Sequence, residues 1–383
     1  MTHSCDAPDG QTAVSERPLR VLVLLPNPNI GGAERIAFSL TSYLLETGRQ
    51  VDVVILSRGE GRVWPTLAGH SRFRLFAGKA RSESSGFPRL VHTLLRLRRD
   101  GPYDVVYTTH AHMNGFASLA IGLGLLRTRR LVSRETTLVF DRFFGLKRWL
   151  YRLYYLFYRH QDLLIFQTEE MRDSLLRRIR LPRKIAHGVL PNPVHIATID
   201  AALAAGPTRR REQTEPVRIV YCGRLIPLKR VGMLLEALAQ FDLRNWTLRV
   251  LGDGPLRASL EAEASRLGIA DRVEFVGHTA NPYASFAEAD VGVLCSEVEG
   301  FPNVLLEMMA SGTKHVLTTD CTASVRHLPF VEIVAPGDSR TLADAIRRAI
   351  EERPDRHLEY RRYIEQHRSV SAFADAVLGG TDA

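Results

Sequence analysis

The sequence predicts an α/β protein of two halves, each a mostly parallel sheet covered by helices on both faces. Three observations predict it. Apolar strand-like runs alternate with helical periodicity along nearly the whole chain, the pattern of sheets fed by helical crossovers. The 383 residues exceed what one hydrophobic core ordinarily serves. The alternation breaks once, over 200–216, and then restarts. A composition of 45% hydrophobic and 24% charged residues excludes a disordered or fibrous chain.

The first 17 residues, MTHSCDAPDGQTAVSER, lack a basic stretch followed by an apolar run and read as a disordered tail, not a signal peptide. LRVLVLL (19–25) is the first strand. It meets the loop PNPNIGG and then a helical pattern from about Ala33 to Leu45. Further strands are expected at VDVVIL (51–56), DVVYTT (104–109) and DLLIFQ (162–167), so that a first domain covers 18–200. DAALAAGPTRRREQTEP (200–216) loses apolar periodicity and reads as a linker, 201–216. The second domain, 217–354, opens with VRIVYCG (217–223) and a helix from about Arg230. WTLRVLG (246–252), a helix through Leu267, RVEFVG (272–277), DVGVLC (290–295), a further helix and KHVLTT (314–319) follow. After Pro354 a helical tail, 355–383, ends in SAFADAVL and is expected to return to the first domain.

Four cysteines, Cys5, Cys222, Cys295 and Cys321, stand singly, without the spacing of a zinc site or a disulfide framework, and point to a reducing cytoplasm. The longest apolar stretch, Gly115 to Leu126, has 12 residues, too few to span a membrane. A net charge of +9 suits an anionic partner: nucleic acid, acidic lipid or a nucleotide. No nucleic-acid module is readable, and the basic residues follow helix faces, so a nucleic-acid-binding protein ranks last among the alternatives.

Four segments carry chemistry. GGAER (Gly31, Gly32 to Arg35) lies between a strand and a helix, where glycines allow φ > 0 and close backbone approach, and a helix N-terminus offers N–H groups to an anion. A tight turn without a ligand is the alternative. CGRLIPLKR (222–230) repeats that context and brings Arg224 and Lys229 toward the strand's end, an arrangement suited to a diphosphate or else a solvated basic turn. LGDGP (251–255) reads as a turn with Pro255 at the first helical position. In SEVEGFPNVLLEMMASG (296–312), Glu299 precedes a helix beginning near Asn303 and Glu307 falls on its second turn. Loop and helix carboxylates together accept hydrogen bonds from vicinal hydroxyls. Alternatively both are solvated, although VLLEMMA is apolar on every side of Glu307.

In this order the four segments resemble glycosyltransferase family 4, nucleotide-sugar enzymes of the GT-B fold, and the resemblance runs from about Leu19 to about Leu378. It implies two Rossmann-like domains facing across a cleft. It assigns Glu307 to the ribose hydroxyls and Glu299 to the transferred sugar, with Arg224 and Lys229 on the pyrophosphate. Gly32, with Gly31, matches the loop over the phosphates; Gly300, Phe301, Pro302 and Asn303 would cap the sugar; Val276 and His278 would cradle the base. Catalysis would rest on Glu299, Arg224 and Lys229, with retention of configuration. No Asp-x-Asp motif appears, so no metal or other cofactor is expected. The donor implied is UDP-hexose or UDP-N-acetylhexosamine.

The sequence departs from the family where many members carry a first-domain histidine: LVSRETT (131–137) offers Arg134 and Glu135 instead. This resembles a subgroup acting on polyprenyl-linked saccharides. His110 and His112, in TTHAHMNG, are the substitutes considered for contacts to sugar or acceptor, against a role as packed histidines; no third ligand accompanies their His-x-His spacing. The segment 142–160 interleaves basic and aromatic residues and reads either as an anchor on anionic membrane or as a helix packed on the first domain. Arginine clusters at 96, 98 and 99 and at 127, 129 and 130 favour the membrane, on the cytoplasmic face. A soluble acceptor is the alternative.

Overall fold

Every residue of the first strand, β1 (Arg20–Leu25), is buried, as a central parallel strand with helices on both faces requires. The computed structural model describes residues 17–379 apart from 30, 60–62, 206–215, 242–244, 280 and 336. The expected tail, save Arg17, and most of the expected linker lie outside the described residues.

β1 is joined by β2 (Gln50–Ile55), β3 (Phe73–Phe76), β4 (Tyr103–Thr109), β5 (Thr128–Arg134), β6 (Leu163–Phe166) and β7 (Ala186–Val189) in a sheet of order β3-β2-β1-β4-β5-β6-β7. Val21 lies opposite both Val51 and Val105, so the pairing is in parallel on each side of β1. The second sheet contains β8 (Val217–Cys222), β9 (Trp246–Leu251), β10 (Val273–Gly277), β11 (Val291–Leu294), β12 (His315–Thr319) and β13 (Glu332–Val334), in the order β10-β9-β8-β11-β12-β13. Four strands are absent from the expected runs: β5 is interior, but it opens Thr-Arg-Arg and is fully buried only from Leu131 on, whereas β3, β7 and β13 are sheet edges. An edge strand buries little, so it carries no continuous apolar run.

The first domain's helices are α1 (Gly32–Glu46), α2 (Glu83–Leu97), α3 (Ala111–Gly122), α4 (Val139–Arg142), α5 (Gly145–Leu156) and α6 (Glu169–Leu176). Then come α7 (Ile196–Ala204), α8 (Val231–Ala239), α9 (Arg257–Arg266), α10 (Tyr283–Glu288), α11 (Asn303–Ser311), α12 (Ser339–Glu352), α13 (His357–His367) and α14 (Val370–Leu378). Alternation along β1 feeds two cores. Val21, Val23 and Leu25 pack with α1 on one face, and Leu22 and Leu24 pack with α2 and α3 on the other.

The chain crosses between domains earlier than the composition suggests. Ile199 of α7 joins the second domain's core, and α7 runs on to Ala204, so the crossing falls at 190–195 and not at the expected linker. The tail is divided as well. Tyr360 and Ile364 of α13 stay with the second core, and only α14 returns, placing Phe373, Ala374, Val377 and Leu378 in the first. The two crossings pair: Val194 N donates to Arg368 O at 2.7 Å, within a parallel bridge from Val194 to Ser369. Phe373 is 2% exposed, and Phe373→Ala is expected to destabilise the protein by about 3–5 kcal/mol, read from urea denaturation. A loss under about 1 kcal/mol would mean that α14 is not docked.

In each sheet the strand order reverses beside the opening strand, between β1 and β4 and between β8 and β11. Doubly wound sheets bind ligands at the carboxyl ends of strands at such points. Those ends are the 26–29 loop with Gly31, His110, the 223–229 turn and the 296–302 loop.

Candidate active site

From the second domain, β8 ends at Cys222 and turns through Gly223 and Arg224. The LGDGP turn packs back on it so closely that a Cβ at Gly252, whose φ is +133°, would meet Gly223 O at 2.0 Å, and one at Gly254 would meet Leu225 O at 2.5 Å. Glycine is required at both positions, and the two turns brace each other. The helix there, α9, begins at Arg257, two residues beyond the expected Pro255. Arg224 is exposed, and its guanidinium has no partner among the described residues. Lys229 ends a single 3₁₀ turn, Pro227–Lys229, and its carbonyl accepts from Cys295 Sγ at 3.2 Å, which ties the turn to the end of β11.

The loop after β11 supplies the carboxylates. Glu299 N donates to Cys321 O at 3.0 Å, and Ser296 Oγ donates to Glu299 Oε1 at 2.8 Å. Lys229 Nζ pairs with the same oxygen. Pro302 then caps α11 without a side-chain hydrogen bond, and Glu307 sits among buried Leu305, Leu306, Met308 and Met309. A charge so placed needs a partner. It finds one in the other domain: Arg35 Nη1 lies 2.8 Å from Glu307 Oε1, and that neighbouring charge, its largest influence, raises the arginine's already high pKa.

From the first domain, α1 begins at Gly32 after a Gly31 cap with φ −92°, again with no side-chain cap. Neither glycine adopts the positive φ expected of this turn. Close approach explains them instead. A Cβ at Gly31 would meet Glu34 Oε2 at 2.8 Å, and one at Gly32 would stand 3.1 Å from Asn303 Nδ2, across the domain boundary. Asn303 Nδ2 donates to Gly32 O at 3.2 Å, so the N-termini of α1 and α11 abut with their first-turn amides uncapped by side chains. Each N-terminus favours negative charge. Gly300 approaches from the same loop, where a Cβ would stand 3.8 Å from Thr136 O, beyond the end of β5. Phe301 lies under the Arg368 guanidinium, 5.5 Å from its ring centroid. Val276 and His278 are both exposed at the carboxyl end of edge strand β10.

The four first-domain candidates divide. Arg134 is 0% and Glu135 2% exposed, so neither presents its side chain to the cleft as expected. Glu135 accepts from Tyr158 Oη at 2.5 Å, Tyr155 Oη at 3.0 Å and Asn114 Nδ2 at 3.2 Å, and burial pushes its pKa up. It anchors the helix that follows. His112 Nε2 lies 3.2 Å from Glu83, against α2. His110 remains. It stands at the start of α3 with φ +70° and ψ +135°, a region costly for any side chain, and its Nε2 is 3.7 Å from buried Glu34.

Burial, with His112 nearby, lowers the His110 pKa from 6.5 to about 4, so the ring is neutral at pH 7. With the folded value below the unfolded one, stability contributed at neutral pH is lost as pH falls from about 6.5 toward 4. His110→Gly is expected to raise stability by about 1 kcal/mol, flatten that acid slope and lower turnover. Equal turnover in a more stable variant would remove His110 from the site.

Sequence reasoning missed Arg35, Glu34 and Asn192. The last lies in Pro-Asn-Pro-Val, where an isolated asparagine signals only a turn. Its side chain donates through Nδ2 to Asn303 Oδ1 and accepts from Arg134 Nη2 at its own Oδ1. Among the described residues, no three His, Cys, Asp or Glu side chains are grouped to hold a metal ion, and no helix is long and apolar enough to cross a membrane.

Two facing parallel α/β domains with anion-favouring helix N-termini and paired carboxylates at the cleft define a glycosyltransferase of the GT-B type. Residues 30–198 match the description Glycosyltransferase Family 4 and residues 216–352 match Glycosyl transferases group 1; the chain belongs to this glycosyltransferase family. It is similar to the GalNAc-alpha-(1->4)-GalNAc-alpha-(1->3)-diNAcBac-PP-undecaprenol alpha-1,4-N-acetyl-D-galactosaminyltransferase of Campylobacter jejuni, 26% identical over 76% of this chain and 77% of that one. It is 25% identical to the alpha-D-kanosaminyltransferase of Streptomyces kanamyceticus over 67% of this chain and 70% of that one. Among solved structures, Anabaena HepE in complex with UDP superposes with a TM-score of 0.74 at 18% identity, covering 94% of this chain and 99% of that one.

Proposed function

We propose that this chain transfers a hexosyl or N-acetylhexosaminyl group from a UDP-sugar to a saccharide on a polyprenyl-type lipid, retaining anomeric configuration and using no metal. The observation that carries the reading is that the Lys229–Glu299 and Arg35–Glu307 pairs stand at strand ends and helix starts beside the abutting N-termini of α1 and α11, with Arg224 exposed in the turn that ends β8. Cations and helix amides suit a diphosphate, and the two carboxylates suit the hydroxyls of ribose and sugar.

In the reaction, the bond from the anomeric carbon to the phosphate oxygen breaks, and its electron pair stays on that oxygen. Arg224 and Lys229 stabilise the charge that develops there. The acceptor hydroxyl forms the new bond on the same face and gives its proton to the leaving phosphate. Glu299, held by Ser296 and Lys229, positions the sugar, and the backbone from Gly300 to Asn303 caps it. Main chain near Val276 and His278 receives the base.

Helix α5 supports the lipid-borne acceptor and a place on the cytoplasmic face of a membrane. Phe144, Leu146, Trp149, Leu150, Leu156 and Phe157 are all exposed. From 146 onward their spacing follows one helical face, so the apolar stripe points outward, with Lys147 and Arg152 beside it. The arginine cluster at 127–130 does not add to this surface. Arg129 lies 3.4 Å from Asp104 and Arg130 Nη2 donates to Ala376 O at 3.3 Å, at the opening end of β5, away from the cleft.

The test is transfer from UDP-hexoses and UDP-N-acetylhexosamines to polyprenyl-diphosphate-linked saccharides in vesicles, with EDTA present and the anomer assigned by NMR. Labelled sugar with retained configuration in the lipid phase is expected. Equal transfer to water-soluble acceptors without vesicles would favour the second reading, a soluble glycoside product.

A further inference from the structure

Arg134 closes β5 with a guanidinium that is 0% exposed and has no carboxylate partner among the described residues. The buried Tyr107 hydroxyl faces the guanidinium, but Nε and Nη1 make no well-formed hydrogen bond among the described residues; the ring of Phe373 lies 5.5 Å from Cζ, and the bond made by Nη2 goes to Asn192 Oδ1. A buried cation whose neighbours are a neutral amide and a phenol, with no carboxylate, is an expensive arrangement.

The consequence is a polarity. A guanidinium only donates, so Asn192 must turn Oδ1 toward it and Nδ2 away. Nδ2 then meets Asn303 Oδ1, which leaves Asn303 Nδ2 to donate to Gly32 O at 3.2 Å. The chain of bonds starts in the first domain's interior, passes through the crossing segment, enters the first turn of α11 and ends on the first residue of α1. Pro191 and Pro193 flank Asn192, so neither neighbouring residue offers a backbone N–H that could compete for these acceptors. One turn further along both helices, Arg35 holds Glu307. Two clasps therefore join α1 to α11, one ionic and one set by the direction of an amide.

We infer that Arg134 and Asn192 are positioning residues that orient the Asn303 amide and thereby hold the two domains in register across the cleft. This rests on the reading of that cleft as the donor site. Reversing the Asn303 amide would bring Oδ1 against the Gly32 carbonyl, two acceptors with no proton between them, and release the clasp.

Asn192→Asp separates orientation from stability. It gives Arg134 a carboxylate, so the thermal midpoint is expected to stay level or rise. The second carboxylate oxygen can only accept, so Asn303 turns Nδ2 toward it and loses Gly32. The expected results are a fall in kcat of tenfold or more, a nucleoside diphosphate Kd within about twofold of wild type, and amide hydrogen exchange at least fivefold faster in 31–35 and 303–307 alone. Arg134→Met, which removes the donor but fills the space, should give the same exchange pattern. Unchanged exchange and turnover in Asn192→Asp would overturn the inference. So would losses of kcat, nucleotide affinity and thermal midpoint in proportion, which mark a merely structural pair. Should the wild-type protein bind no nucleoside diphosphate, the donor-cleft reading fails, and the exchange arm still decides whether the relay orients the clasp.

Discussion

Lys229→Ala and Arg224→Ala each lower turnover by about 10²–10³, the usual cost of removing one preorganised group from a developing oxyanion, whereas thermal stability changes little for Arg224→Ala. The difference follows from their surroundings. Arg224 is exposed with no partner among the described residues, so nothing else depends on it. Lys229 neutralises Glu299, which also accepts from Ser296, and its removal leaves that carboxylate without a counter-charge. A double variant, Lys229→Ala with Glu299→Gln, is expected to recover the stability lost by the single change and none of the activity. Initial rates at saturating donor, with thermal melts of the same samples, check both statements. Turnover of Arg224→Ala within threefold of wild type would take that arginine out of the leaving-group site.

Leu146→Ser, Trp149→Ser and Leu150→Ser together weaken binding to anionic vesicles by about 10²-fold, from about 1 kcal/mol of interfacial burial lost at each side chain. The fold survives because α5 is held by its other face. Tyr155 and Tyr158 donate to Glu135, a Cβ on Gly115 would meet Tyr154 O at 2.8 Å, and Ser118 Oγ receives Arg159 N and His160 N at 3.0 Å each. Arg148 and Arg152 lie 5.8 and 5.9 Å from the Phe140 ring centroid, so part of the basic charge is fixed against the domain. Lys147 stands exposed beside the stripe, and raising salt from 0.1 to 0.5 M should weaken the wild-type interaction through screening. Vesicle co-sedimentation reads both effects. Full binding by the triple variant would contradict the docking role.

The alternation of strands and helices was legible because central parallel strands, buried on both faces, read as unbroken apolar runs. The site segments were legible for a related reason: each lies at the end of such a strand, where glycine and charge interrupt the pattern. What the residues alone left hidden depends on partners distant in sequence. The resemblance puts Arg134 and Glu135 where many members carry a first-domain histidine, yet their partners, Asn192, Tyr155, Tyr158 and Asn114, are brought in by other elements. Arg35 looked like the tail of a glycine motif until Glu307 was placed opposite it. The crossing at 190–195 escaped notice because the apolar pattern of α7 does not say which of two cores it fills. Glycines 31 and 32 were assigned correctly to a turn but for a conformation they do not adopt; proximity of Asn303 and Glu34 is what excludes a side chain.

The most direct test of the donor cleft is a calorimetric titration of the wild-type protein, Arg224→Ala and Glu307→Gln with UDP, GDP and ADP. One diphosphate is expected to bind the wild type, with affinity lowered about tenfold or more in each variant, since each change removes a charge-assisted hydrogen bond worth about 1.5–3 kcal/mol. Binding that ignores both residues, or no binding of any diphosphate, would contradict the assignment of this cleft to a nucleotide-sugar donor.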